Sequence, residues 1–337
     1  MIVVALGLKS TAEMRDALAA AARLADGAEL RLDYLQEPYD LAALLAGRPC
    51  PVIVTNRPPR EGGYYTGDEA ARVRALQEAW ALGAEYVDVE ADSIGLLRAG
   101  LKVRGLTEIR TKIIVSHHDF RAMPSDLWEI HQRLQTQGAD VVKVAGMAHR
   151  LGDAIAILEL LARAEVPTIA IAMGEHGLIS RVLALRFPSC YLTYAAPDGE
   201  RNTAPGQVSA SMMREVFQAQ RIGPRTAVYG TLGPSGGDVA EWQRMTVALR
   251  NAGLDAVYVP LKLTADDDLR SCLQRLQRLG LRGARVEEPV QMKAARAADR
   301  LDISARRRGQ ADTLHLEGET WVGAWVGEEE RLRVWVG

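Results

Sequence analysis

The sequence predicts an α/β protein: a (β/α)8 TIM barrel with a second, smaller α/β domain at the carboxyl end. Three observations carry this. Eight apolar runs of strand length recur in the first 220 or so residues, at 2–6, 28–32, 51–55, 86–89, 113–116, 141–145, 168–172 and 191–194. Between them lie segments with helical spacing, for example 70–80, 124–137 and 154–161, and a last helix fits 208–217. Strands alternating with helices pair in parallel. No glycine-rich dinucleotide fingerprint follows the first strand, so a closed barrel fits better than a doubly wound open sheet.

Taken in order, the barrel strands carry their unusual residues at their carboxyl ends, where a barrel gathers functional groups. Glu29 and Arg31 stand on the second strand, Arg57 and Glu61 follow the third, and His118 follows the fifth. Lys143 is on the sixth, and Met173 follows the seventh. The clearest unit is strand, helix, strand: Ile113–Ser116, a helix through Leu127, Ile130 and Leu134 that stops at Gly138, then Val141–Ala145. Singly, each charged residue reads as a solvated loop or a structural ion pair; six on one barrel face point to a polar active site.

Residues 1–222 form the predicted barrel. A linker at 223–227 takes its Gly and Pro from Gly223 and Pro224. The second domain, 228–337, reads as a strand to 232, a helix at 240–252, a strand at 256–263 and a helix at 267–279. Its alternating segments 320–326 and 331–336 resemble a hairpin.

Lys143 is out of character among Asp140-Val141-Val142-Lys143-Val144-Ala145. An ammonium buried among aliphatic side chains is costly unless paired or neutralised, and desolvation favours the free amine that a Schiff-base lysine needs. The chain has 41 basic residues, and lysine stands only at 9, 102, 112, 143, 262 and 293. Arginine serves wherever charge alone is wanted, and a guanidinium cannot become a nucleophilic amine. On the strand alone, a lysine reaching to solvent is an equal alternative.

A net charge of −2, with no basic run beyond Arg306-Arg307-Arg308, gives no support to a nucleic-acid partner or an anionic membrane surface. No apolar run approaches membrane-spanning length, and the chain starts on a strand without a basic leader, so a cytoplasmic protein is expected. Cys50, Cys190 and Cys272 are widely spaced, and the six histidines are scattered, so neither a disulfide framework nor a metal site is expected.

With these residues in hand, the barrel resembles type I 3-dehydroquinate dehydratase. The resemblance runs through Glu29-Leu30-Arg31-Leu32-Asp33, Arg57 with Glu61-Gly62-Gly63, and Ser116-His117-His118-Asp119-Phe120. It continues through Lys143-Val144-Ala145, Met173-Gly174 with Gly177 and Ser180-Arg181, and Thr203-Ala204-Pro205-Gly206-Gln207. It implies that Lys143 forms an imine with the ketone of 3-dehydroquinate and that His118 is the general acid and base, partnered by Glu61. It also implies that Arg181 pairs with the substrate carboxylate, helped by Thr203 and Gln207. Glu29, Arg31 and Arg57 would meet the ring hydroxyls and the ketone side, and Met173 completes the set. No cofactor is implied. His117 is read as packing, and the insert 197–202 as a lid hinged at Gly199.

Residues 228–337 resemble the amino-terminal, substrate-binding half of shikimate dehydrogenase, most closely at Gly253-Leu254-Asp255-Ala256-Val257-Tyr258-Val259-Pro260. The chemistry of that family is replaced. Val239 and Glu241 stand where it has two serines, Arg285 and Glu287 replace its asparagine and threonine, Gln291 its lysine, and Gly327 its aspartate. Lys293 lies two residues past the lysine position. No dehydrogenation is expected, and the domain is expected to be dispensable for dehydration; ligand binding, holding a homodimer and covering the barrel all stay open as its role. Two other readings of the whole chain are a class I aldolase on the same barrel and a non-catalytic sensor of shikimate-pathway intermediates.

Overall fold

The computed structural model describes residues 1–103, 111–199 and 203–336. Eight strands form one parallel sheet: β1 (Ile2–Leu6), β2 (Gly27–Arg31), β3 (Val52–Thr55), β4 (Tyr86–Glu90), β5 (Lys112–Asp119), β6 (Val141–Met147), β7 (Thr168–Met173) and β8 (Thr193–Ala195). Their order is β7-β6-β5-β4-β3-β2-β1-β8. The ends meet just before β8, where Tyr191 N donates to Thr168 O at 2.9 Å and Thr168 N to Ser189 O at 2.8 Å, so the barrel is nearly closed. Helices α1 (Thr11–Ala21), α2 (Leu41–Leu45), α3 (Glu69–Ala81), α4 (Ile94–Val103), α5 (Leu127–Thr136), α6 (Leu151–Arg163), α7 (Leu178–Leu183) and α8 (Ala210–Glu215) alternate with the strands. Side chains start several of them. Ser10 and Glu13 form a reciprocal capping box on α1, and Asp68 accepts from Ala71 N on α3.

Alternation along the strands sorts the barrel interior into layers. Val3, Ile53, Ile114, Val141, Ile169 and Leu192 belong to one buried apolar cluster. Two residues further along β3, β5 and β6, on the same face, come Thr55, Ser116 and Lys143; two further again come Arg57, His118 and Ala145. The interior thus changes from apolar to polar along the strand direction. β5 runs on past Ser116 to Asp119, so His118 lies on the strand and not after it, which holds its backbone in the sheet.

The carboxyl-terminal strands form a six-stranded sheet, order β10-β9-β11-β13-β14-β12. In chain order the elements are β9 (Ala227–Gly233), α9 (Val239–Asn251), β10 (Ala256–Lys262), α10 (Leu269–Arg278), β11 (Leu281–Val286), α11 (Gln291–Ala297), β12 (Arg300–Leu301), α12 (Ile303–Arg308), β13 (Thr313–Glu317), β14 (Thr320–Ala324) and α13 (Gly327–Val336). β9 pairs in parallel with both β10 and β11.

The predicted hairpin is wrong in its second arm. β14 pairs with the preceding strand β13, and 331–336 belongs to α13. That segment alternates like a strand, yet Arg331 and Trp335, four apart, share a helix face. Trp335 packs 5.1 Å from the Tyr229 ring, and Arg331 Nε donates to Thr313 Oγ1 at 2.9 Å. Tertiary partners override a short-range pattern here.

The chain divides into two compact units that do not follow a single cut. One comprises 1–147, 163–174 and 189–211; the other comprises 148–162, 175–188 and 212–337. α6 and α7 therefore pack in the same unit as the carboxyl-terminal sheet. Of the insert 197–202, residues 200–202 lie outside the described residues.

Candidate active site

The polar layer of the barrel is built from six strands. Lys143, 5% exposed, sits opposite Ser116 in the β5–β6 register. Its Nζ is 2.6 Å from Asp88 Oδ2 and 3.4 Å from Glu29 Oε1, and donates to Tyr194 OH at 3.1 Å. The reading of this lysine as reaching solvent is thereby excluded: it is buried and paired. Glu29 also accepts from Thr55 Oγ1 at 2.5 Å, and Ser116 Oγ donates to Asp88 Oδ1 at 2.6 Å.

Arg57 ties the acids together. Its guanidinium lies 2.9 Å from Asp88 Oδ2, 2.6 Å from Glu90 Oε1, 2.7 Å from Ser116 Oγ and 3.9 Å from Glu61 Oε2. Glu90 is shared with the buried Arg72 at 2.6 Å. Arg31 makes a fork to Asp33, 2.8 and 2.7 Å, and Asp33 in turn accepts from Arg57 N and Tyr64 N. Burial alone would raise the Asp88 pKa, but Arg57 and Lys143 outweigh it and hold this carboxyl well below the usual range.

His118 shares the inward face of β5 with Ser116, two residues on, which makes it a diagonal neighbour of Lys143. Glu61 reaches it from the 3-10 turn Pro59–Glu61: Oε2 is 2.9 Å from His118 Nδ1 and accepts from His118 N at 3.2 Å. Gly62 ends that turn at φ +77°, and a Cβ there would lie 2.2 Å from the Phe120 ring, so only glycine brings Glu61 this close to β5. Burial, with Arg57 and Lys143 adding, pushes the His118 pKa well below its ordinary value. Burial, reinforced by Glu90, Asp88 and Asp92 and opposed by Arg57, pushes Glu61 up to about 8. Although the two atoms are at ion-pair distance, burial disfavours the charged form of both groups.

This makes a pH test specific. Glu61 gains its charge as pH rises through about 8, and a carboxylate there stabilises the imidazolium and raises His118 basicity. Wild-type kcat/KM is expected to climb through this range. Glu61→Gln mimics the protonated form, so it should track the wild type below about pH 7 and stay flat above 8. An identical inflection in both proteins would remove Glu61 from the titration.

Thr203 and Gln207 are brought together. Gln207 Oε1 accepts from Thr203 N at 2.9 Å, Thr203 Oγ1 at 3.2 Å and Ala204 N at 3.2 Å. The turn they belong to rests on the end of β7: Gly174 N donates to Pro205 O at 3.1 Å, and a Cβ on Gly206 (φ +72°) would fall 2.1 Å from Gly174 O. Met173 is buried at the end of β7. Arg181, buried on α7, belongs to the other compact unit. His117 alternates with His118 along β5, and both line a surface depression of about 470 Å³ with Pro59, Arg60, Gly62 and Phe120.

Sequence reasoning missed Asp88, Glu90 and Tyr194 as site residues. The signal was there: in Tyr86-Val87-Asp88-Val89-Glu90 two acids alternate with valine on a strand with no exposed face. The criterion that singled out Lys143 applies equally to them.

In the second unit, several of the positions that depart from the shikimate dehydrogenase pattern have partners of their own. Glu241 accepts a fork from Arg285, 2.6 and 2.9 Å. Glu287 accepts from Ser235 N at 2.9 Å and Gly237 N at 3.2 Å, and Gln291 Nε2 donates to Val286 O at 3.2 Å. Gly327 N donates to Asp312 Oδ2 at 2.9 Å, and Lys293 Nζ to Asp267 O at 2.5 Å.

A family model described as type I 3-dehydroquinase matches residues 2–224. The bifunctional 3-dehydroquinate dehydratase/shikimate dehydrogenase, chloroplastic, of Arabidopsis thaliana is 34% identical over 295 residues, covering 86% of this chain and 48% of that one. This chain thus spans about half the length of that relative, and the match runs past the barrel into the shikimate dehydrogenase-like part. The 3-dehydroquinate dehydratase of Desulfotalea psychrophila is 36% identical over 211 residues, 60% of this chain and 92% of the relative. The crystal structure of 3-dehydroquinate dehydratase from Geobacillus kaustophilus aligns with a TM-score of 0.55 and 26% identity, covering 63% of this chain and 88% of the other. With a buried lysine, its acids and a histidine on adjoining strands of a parallel barrel, and a match across most of the chain, this protein belongs to the type I 3-dehydroquinase family.

Proposed function

We propose that this chain dehydrates 3-dehydroquinate to 3-dehydroshikimate and water, with residues 1–222 as the catalytic barrel. The observation that carries the reading is the buried Lys143 amine held by Asp88 and Glu29, with the neutral His118 next to it on the adjoining strand. Lys143 Nζ adds to the C3 ketone, and loss of water gives an iminium that draws electrons from C2. Glu29 and His118 take and return the protons this exchange moves, while the ionised Asp88 stabilises the positive charge on Nζ. Neutral His118 removes the C2 proton and passes it to the departing C1 hydroxyl. Hydrolysis of the product imine returns the water lost on condensation and frees the lysine, so the net product is one water.

Arg181 pairs with the substrate carboxylate, on the strength of its motif, with Thr203 and Gln207 assisting. Glu29, Arg31 and Arg57 address the ring hydroxyls and the ketone side, held in place by Thr55, Asp33 and Glu90. Borohydride reduction in the presence of product tests the reading: a single covalent adduct is expected on the peptide containing Lys143. An adduct on another lysine would sink it.

The carboxyl-terminal half, on this reading, does not oxidise shikimate. Support comes from the engaged positions: Arg285 is taken by Glu241, Gln291 cannot act as a titrating amine, and Lys293 is held at a backbone carbonyl. The full chain with shikimate should show no reduction of a nicotinamide cofactor, followed by its absorbance. A measurable rate overturns this part alone.

A further inference from the structure

The segments that follow β6 and β7 in sequence are gripped, inside the second unit, by the carboxyl-terminal residues. α6 begins at Leu151, and the buried Asp267 accepts from its first amides, Leu151 N at 3.2 Å and Gly152 N at 3.0 Å. Thr264 N and Oγ1 complete that carboxylate's shell at 2.9 and 3.1 Å. Further along α6, Arg275 forks to Glu159 at 2.9 and 2.6 Å. A chain cut near Gly223 would leave these groups without the partners they have here.

α7 is held at both ends. Before it, Lys262 Nζ lies 2.7 Å from Glu175 Oε2, and Lys262 O is 3.4 Å from His176 Nδ1. After it, Arg186 donates to the carbonyls of Thr226 at 2.8 Å, Pro224 at 3.2 Å and Leu279. The exposed Glu175 pair counts for little; the half-buried Arg186, with three carbonyls, counts for more.

A helix of six residues has little intrinsic stability, so its direction is set by what it packs against. This one carries Arg181. We propose that residues 212–337 are a brace that positions Arg181, and that through it they set the affinity for the carboxylate of the substrate. The inference rests on the reading of Arg181 given above. A guanidinium fork is sensitive to angle as well as distance, so a small rotation of α7 weakens carboxylate binding. Lys143 and His118 belong to the other compact unit, and their chemistry stays intact.

The test is steady-state dehydration by the full chain, followed by the absorbance of the conjugated product. Arg186→Gln should raise KM roughly tenfold with kcat within about twofold. Arg181→Lys should raise KM by itself, and adding Arg186→Gln to it should change KM little further, because both act through one guanidinium. Lys262→Met, which removes a partly exposed contact and leaves the buried ones, should raise KM about threefold in a chain that melts like wild type. If Arg181→Lys raises KM while Arg186→Gln and Lys262→Met do not, the brace is wrong and the tail only stabilises the fold. If kcat falls with KM unchanged, the brace acts on something other than carboxylate binding and the proposal fails. If Arg181→Lys leaves KM unchanged, the assignment of Arg181 is what fails.

Discussion

Lys143→Met should yield a folded chain that forms no imine, takes up no label on borohydride reduction and, on the proposed function, dehydrates 3-dehydroquinate at least about 10⁴-fold more slowly. Methionine keeps most of the lysine's length and volume but has no nucleophilic nitrogen. Removing one member of a buried ion pair typically costs about 3–5 kcal/mol, because a charge is left uncompensated. The cost here is expected toward the lower end. Asp88 keeps Arg57 at 2.9 Å and Ser116 at 2.6 Å, and Glu29 keeps Thr55 at 2.5 Å. Circular dichroism and the melting temperature check the fold, mass spectrometry of the reduced protein checks the adduct, and product absorbance checks the rate. Turnover within tenfold of wild type, by a chain of native spectrum, would remove the imine from the mechanism.

The second large effect separates two adjacent histidines. His118→Ala should still be trapped on Lys143, since the amine and its acids are untouched, yet turn over about 10²–10⁴-fold more slowly for want of a positioned base. His117→Ala should change kcat by less than about threefold. Strand alternation places its ring on the other face of β5, where burial and Arg133 lower its pKa. Single-turnover measurements distinguish slow imine formation from slow proton removal. The reverse order of the two mutants would mean that the inward face of β5 begins one residue earlier than the register with β6 indicates.

Much of this was legible from residue patterns. Strand–helix alternation, with eight apolar runs and no dinucleotide fingerprint, determined the barrel, because period and length are local properties of the chain. Lys143 was legible because a lysine among Val141, Val142 and Val144 contradicts its surroundings, and Arg57, Glu61 and His118 were legible because strand ends announce themselves. Asp88 and Glu90 carry the same contradiction, two acids between valines on a buried strand.

What no local pattern contains is pairing across distance. Which carboxylate holds Lys143, 55 residues away in the chain, depends on β4 and β6 flanking β5, and that is a consequence of register. The directions in which the Glu61 and His118 pKa values move depend on burial and on the charges gathered around them, a property of the folded barrel. The segment 331–336 alternates like a strand, but the aromatic faces of Tyr229 and Tyr258 and the Thr313 hydroxyl draw it into α13. Likewise Asp267 reads as an ordinary helix-start acid, and only the folded chain puts its carboxylate on the amides of a helix more than 100 residues earlier. By itself the sequence determined the fold class and singled out Lys143, His118 and Glu61 as candidates, since these are written in the spacing and kind of neighbouring residues. Their partners, protonation and bracing were decided by the tertiary structure, because burial and ion pairing act between residues that the chain keeps far apart.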